Sequence, residues 1–274
     1  YGGTLALFDD LLPRFDIAHT RVAADDREAW ETALQPNTKV LYTESIANPL
    51  LTVRDLEMMA AVAETRGLVG MVDNTFASPV NLRPAEWGFD VVLHSATKYL
   101  GGHSDLAAGV VAGPAPVLDD ARDTAKLLGG MLDPHACFLL HRSLKTLGVR
   151  VRQQNETAQA VAEALSAHRA VDQVRYPGLA SHPQHARART LLDGFGGMVS
   201  FDLAPQANVD AFFDALTLPL RAPSLGGVET LVTQPLHTSH RGVAPEERAA
   251  LGITERLVRL SVGLEGTPDL VDDV

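Results

Sequence analysis

The chain has 274 residues, 46% of them hydrophobic, with 34 acidic against 23 basic side chains and a formal charge of −11. That length buries a real core in one large or two ordinary domains, and the acidic balance speaks against nucleic acid or an anionic membrane as partner, leaving a small molecule as the expected ligand. The single cysteine, Cys137, excludes an internal disulfide and fits a reducing cytoplasm, and no stretch is apolar for long enough to span a bilayer.

Tyr1-Gly2-Gly3-Thr4 is turn-like and lacks a start methionine, as though the chain were entered inside a domain. From Thr38 to Gly113, short β-branched runs alternate with a helical pattern, which predicts an α/β fold built on a parallel sheet. Residues 39–42, 68–72, 90–93 and 109–112 read as its strands. Between the first two, Thr52 with Asp55 three residues later reads as a capping box. Leu56, Met59, Ala60 and Ala63 then share one helical face, and Gly67 closes the helix. Helical periodicity resumes near Ala136 and runs to Ala167 with a break at Gly148. The break is the expected boundary between a large domain, 1–147, and a smaller α+β domain, 148–274. Strands are predicted there at 173–176, 198–201 and 257–262, and helices at 207–216 and 245–251.

In open parallel sheets ligands bind beyond the carboxyl ends of the strands. The polar residues that follow the first three apolar runs are Glu44, then Asp73, then Ser95, Thr97 and Lys98. Lys98 comes after a strand and before the tight apolar sequence Tyr99-Leu100-Gly101-Gly102, a setting that desolvates the amine and frees its lone pair for a carbonyl. No G-x-x-x-x-G precedes it, so a Walker phosphate loop is excluded. Ser95 and Thr97 supply hydroxyls for a phosphate, and Asp73 supplies a carboxylate for a pyridinium nitrogen. Together these residues predict a pyridoxal 5′-phosphate (PLP) site with Lys98 as the covalent anchor. His135, Cys137 and His141 read as ordinary helix positions, with no metal expected. Ser239 and His240 lack the G-x-S-x-G elbow of a hydrolase, and His237 reads as loop.

Val72-Asp73-Asn74-Thr75 followed by Ser95-Ala96-Thr97-Lys98-Tyr99-Leu100-Gly101-Gly102-His103-Ser104-Asp105 resembles the Cys/Met metabolism group of fold-type I PLP enzymes, which includes cystathionine γ-synthase, cystathionine γ-lyase and methionine γ-lyase. The resemblance extends through Tyr1-Gly2-Gly3-Thr4, Glu44, Asn48-Pro49, Leu144-Lys145-Thr146-Leu147, the run from Ser224 to Leu231 and the run from Arg259 to Glu265. It implies a mainly parallel large domain followed by a smaller α+β domain, and a cytoplasmic homotetramer built from dimers.

Residue by residue, the resemblance implies that Tyr1 stacks on the cofactor ring and assists catalysis, and that Asp73 pairs with the ring nitrogen. Ser95 and Thr97 hold the phosphate, and Asn48 meets the phenolic oxygen. Arg259 grips the substrate carboxylate with Ser224 and Asn48 alongside, Lys98 moves the α-proton, and Glu44 organises the surroundings. The implied reaction is γ-elimination or γ-replacement on a sulfur amino acid, most like cystathionine γ-synthase or γ-lyase. Methionine γ-lyase, O-acylhomoserine sulfhydrylase and a catalytically silent, truncated structural protein are the alternatives. The family's usual segment ahead of Tyr-Gly-Gly, with its phosphate loop and Tyr-x-Arg element, is expected upstream of Tyr1. Two positions depart from the pattern: Pro223 stands where cystathionine-specific members often carry an acid, and Gly3 where bacterial methionine γ-lyases carry a cysteine.

Overall fold

The computed structural model describes residues 1–22, 25–238 and 245–274. Its first sheet runs β1 (Val40–Glu44), β2 (Val69–Asp73), β3 (Val91–Ser95) and β4 (Gly109–Ala112) in spatial order. The first three strands are parallel, whereas β4 returns antiparallel along β3. A parallel fourth strand would need a crossover helix, and the connection from Ser95 to Gly109 contains only tight turns. The sheet is thus mainly parallel with one antiparallel edge.

Helix α1 (Leu56–Arg66) buries Leu56, Met59, Ala60 and Ala63, the face read from the sequence, and ends on Gly67 at φ +63°. Its cap differs from expectation. Asp55 accepts from Met58 N at 3.0 Å, while Thr52 belongs to a short ribbon in which Thr52–Val53 pairs with Ile46–Ala47. An aspartate at that position satisfies an orphan amide by itself, so a serine or threonine three residues earlier is not needed.

Helix α2 (Ala115–Leu128) buries no side chain and had no counterpart among the predicted elements. Asp133 caps α3 (Pro134–Leu144) through His135 N and Ala136 N, and α4 (Leu147–Ala167) follows. The chain breaks at Lys145-Thr146, whose amides close onto Arg142 O and Ser143 O. Gly148 lies in the first turn of α4, where amides have no intrahelical partner to lose.

The second sheet contains β5 (Val171–Arg175), β6 (Met198–Leu203), β7 (Leu220–Arg221), β8 (Leu231–Thr233) and β9 (Leu257–Ser261), ordered β5-β6-β9-β8-β7. All its pairs are antiparallel except β7 with β8. Every residue of β6 and β9 is buried, as central strands covered on both faces require. Two apolar clusters form the core, and α4 enters both, giving Leu147 and Val151 to the first and Ala158, Val161, Ala162 and Leu165 to the second.

Candidate active site

The carboxyl ends of β2 and β3 are stitched together by a hydroxyl. Thr75 N donates to Asp73 Oδ1 at 2.9 Å, and Thr75 Oγ1 accepts from Ser95 N at 2.8 Å. The carboxylate of Asp73 is therefore held at one oxygen by a backbone amide and locked to the neighbouring strand. From Ser95 the chain turns tightly: Lys98 N donates to Ser95 O, Gly101 N to Ala96 O and Gly102 N to Lys98 O. This turn explains the glycines of the motif. Gly102 sits at φ +68°, and a Cβ there would fall on the Arg150 guanidinium. Gly102→Ala is accordingly expected to destabilise the fold by about 1–3 kcal/mol in urea unfolding. An unchanged midpoint would contradict the steric argument.

Lys98 Nζ donates to Ser224 Oγ at 2.8 Å, across a sequence separation of 126 residues. Burial, and secondarily the positive charge of Arg259, hold the amine below the ordinary lysine range. Ser224 has φ +119°, a conformation costly for a non-glycine residue and retained where the surroundings enforce it. Its carbonyl accepts from Arg259 Nη2 at 3.0 Å, and Arg259 Nη1 donates to Asn48 Oδ1 at 2.8 Å.

Arg259 is only 4% exposed, and burial lowers it to about 10, with the Tyr99 phenol opposing. Among the described residues no carboxylate pairs with it, and its Nε is buried without a hydrogen-bond partner. A buried guanidinium facing only neutral acceptors is costly to leave uncompensated, and a carboxylate is the ligand whose geometry matches its fork.

One line of contacts thus joins Asp73, Thr75, Ser95, Lys98, Ser224, Arg259 and Asn48, drawing on both sheets. Of the residues read from the sequence, Ser95 keeps a side-chain hydroxyl with no hydrogen bond among the described residues. Thr97 is already engaged, since its hydroxyl accepts from Ala108 N at 3.0 Å and faces Ala108 O at 3.3 Å, leaving one lone pair open. Tyr1 stands apart: the residue is 59% exposed and its amino group donates to Glu44 Oε1. His237 lines a small cavity of about 100 Å³ with Arg221, Ala222, Pro223, Thr233, Gln234 and Thr238, while Ser239 and His240 lie outside the described residues.

Sequence reading passed over Arg150 and Gln154, which brace the site from behind. They are polar residues on the buried face of α4 at positions where the apolar stripe continues, and that interruption was the available signal.

The family model described as Cys/Met metabolism PLP-dependent enzyme matches residues 1–274. The chain is 43% identical over 275 residues to the cystathionine gamma-lyase of Bacillus subtilis, covering 100% of this chain and 73% of that protein. It is 42% identical over 276 residues to the chloroplastic cystathionine gamma-synthase 1 of Nicotiana tabacum, covering 100% of this chain and 51% of that protein. Among solved structures, a cystathionine gamma synthase from Xanthomonas oryzae pv. oryzae, in complex with cystathionine, superposes with a TM-score of 0.95 at 41% identity, over 100% of this chain and 71% of that one.

Proposed function

We propose, for a chain that belongs to the Cys/Met metabolism family of PLP-dependent enzymes, a γ-elimination or γ-replacement activity on a sulfur amino acid, most like that of cystathionine γ-lyase or γ-synthase. The observation that carries this reading is the buried Arg259 guanidinium, unpaired with any carboxylate among the described residues and tied through Ser224 to the Lys98 amine. An α-carboxylate on Arg259 would hold an amino acid with its α-carbon close to that amine.

The residues fit PLP chemically. Lys98 supplies a half-buried amine, Asp73 a carboxylate with one oxygen unclaimed by Thr75, and Ser95 a free hydroxyl at a strand end. When bound, PLP supplies an electron sink for the charge left at the substrate α-carbon. The rest falls to side chains of this chain. Lys98 Nζ would hold PLP and, when its amine is free, would take the substrate α-proton and return it. Donation to Ser224 Oγ holds the amine nitrogen in place. Asn48 restrains the Arg259 fork through Oδ1, and its amide nitrogen would donate to the phenolic oxygen. Thr97 would turn its hydroxyl proton from Ala108 O to the phosphate, and Tyr1 would stack on the ring.

Whether a thiol or water completes the reaction separates a γ-synthase from a γ-lyase. Product analysis with cystathionine, with methionine, and with O-succinylhomoserine plus cysteine discriminates these from methionine γ-lyase or O-acylhomoserine sulfhydrylase, and any turnover removes the structural alternative. Pro223, beside Ser224, offers no charge to the distal amine of cystathionine.

The working form we assign is a cytoplasmic homotetramer of dimers, with Leu127 and Leu128, 89% and 81% exposed, as support for a covered face. Among the described residues no helix is long and apolar enough to cross a membrane.

The direct test is the absorption spectrum of the chain with added PLP, followed by borohydride reduction and peptide mapping. A visible band and a label on Lys98 are expected; a label confined to other lysines would overturn the assignment. Arg259→Lys is expected to raise KM for the amino acid by roughly 10- to 100-fold with a smaller change in kcat, since a point charge replaces a bidentate fork. An unchanged KM would place the carboxylate elsewhere.

A further inference from the structure

The amine and its anchoring hydroxyl come from different sheets, so their registry has to be set by something that touches both. Three direct contacts join their loops, one of them Ser104 Oγ donating to Glu229 Oε1. Lys98 Nζ meets Ser224 Oγ, and Gly226 lies so close to Tyr99 that a Cβ there would stand 2.7 Å from Tyr99 N. None of the three fixes the loops against rotation, because two are single bonds between side chains and the third is packing alone.

Helix α4 supplies the missing constraint. Arg150, 4% exposed, spans three acceptors: Nη1 donates to Tyr99 O at 2.9 Å, Nη2 to Ser143 O at 3.1 Å and Nε to Thr146 Oγ1 at 3.1 Å. The planar fork thereby clamps the carbonyl immediately after Lys98 to the C-terminal end of α3. One turn along the same face, Gln154 is fully buried and spends both protons of its amide nitrogen, on Gly227 O at 2.8 Å and Val262 O at 3.1 Å. Gly227 lies three residues after Ser224, and Val262 three after Arg259. The Gln154 carbonyl oxygen has no partner among the described residues, so the two backbone acceptors dictate the amide's orientation.

We propose that Arg150 and Gln154 are positioning residues, Arg150 holding the turn that carries Lys98 and Gln154 the loop and strand that carry Ser224 and Arg259, so that one helix sets the amine against its hydroxyl across two sheets. Neither side chain touches a reacting atom. Their influence on turnover rests on the PLP reading, but their influence on Lys98 does not.

The test reads Lys98 without cofactor. Trace reductive methylation with formaldehyde and cyanoborohydride, followed across pH by peptide mass spectrometry, gives the titration midpoint of Lys98 relative to the exposed Lys39, Lys126 and Lys145 in the same digest. Desolvation is the principal cause of the lowered amine, with Arg259 the charge that faces it, so a loosened turn admits water and moves the midpoint up. Gln154→Met, which keeps volume and loses the donor, is expected to raise the midpoint by about one pH unit, a roughly tenfold loss of Lys98 reactivity at neutral pH.

Arg150→Lys, which keeps the charge and loses the fork, is expected to do the same to a lesser degree. Thr157→Val is the comparison: it breaks the 2.7 Å contact of Thr157 Oγ1 with Thr267 Oγ1 on the same helix and is expected to lower the melting temperature with the Lys98 midpoint unmoved. A Lys98 midpoint unmoved in both Gln154→Met and Arg150→Lys overturns the proposal, whatever their melting temperatures do. Should Gln154→Met not fold, Gln154→Asn and Arg150→Lys carry the same reading. If the midpoints shift while the unsubstituted chain takes no PLP on Lys98, the positioning role stands and the cofactor reading falls.

Discussion

Lys98→Ala is expected to leave a folded protein that takes up no borohydride-fixable PLP and turns over no amino acid. The fold should survive because the side chain contributes a single hydrogen bond, to Ser224 Oγ, while the turn around it is held by backbone bonds that alanine retains, Lys98 N to Ser95 O and Gly102 N to Lys98 O. A change in unfolding free energy within about 1 kcal/mol is the expected scale for a half-buried side chain of this kind. The loss of rate should exceed the roughly 10²- to 10⁴-fold that a positioned proton-transfer group contributes by itself, because the same nitrogen is assigned both the anchoring and the proton transfer. Circular dichroism, the absorption spectrum and product formation separate the terms. Residual turnover within tenfold of the unsubstituted enzyme, or a PLP label elsewhere in that variant, would remove Lys98 from its role.

The short β7 and β8, two and three residues long, were not read from the sequence, whereas the other strands of both sheets were legible as largely apolar, β-branched runs bounded by turns, as in 69–73 and 198–203. The direction of β4 was not. Residues 109–112 have the composition of any other strand, and only the absence of a crossover helix before them sets the pairing. Helix α2 was missed although Val117, Leu118, Ala121, Ala125 and Leu128 recur at helical spacing; that stripe buries nothing within this chain.

Asp73, Ser95 and Lys98 could be placed together from their positions at strand ends, since topology brings consecutive parallel strands to one edge. The joining of Lys98 to Ser224 and of Arg259 to Asn48, at separations of 126 and 211 residues, depends on how one sheet is set against the other, which local pattern does not encode. Arg150 and Gln154 were passed over because a search for chemistry looks at strand ends and loops, whereas these two sit inside a helix and serve through backbone carbonyls.

Asp73→Asn isolates charge from geometry. The amide keeps an oxygen able to accept from Thr75 N, so the stitch from Asp73 through Thr75 to Ser95 N should persist and the strand ends should stay in register. What disappears is the negative charge at the place proposed for the ring nitrogen. Without it the electron sink is no longer held in its protonated form. The expected loss is about 10²- to 10³-fold in kcat, the size found when one preorganised electrostatic contact to developing charge is removed. Capture of PLP by Lys98 should remain, since that bond depends on the amine and not on the carboxylate. Asp73→Ala should lose at least as much rate and loosen the stitch as well, lowering stability where asparagine does not. Rates for Asp73→Asn within threefold of the unsubstituted enzyme would show that the carboxylate serves only the Thr75 stitch, and the cofactor's nitrogen would then need another partner.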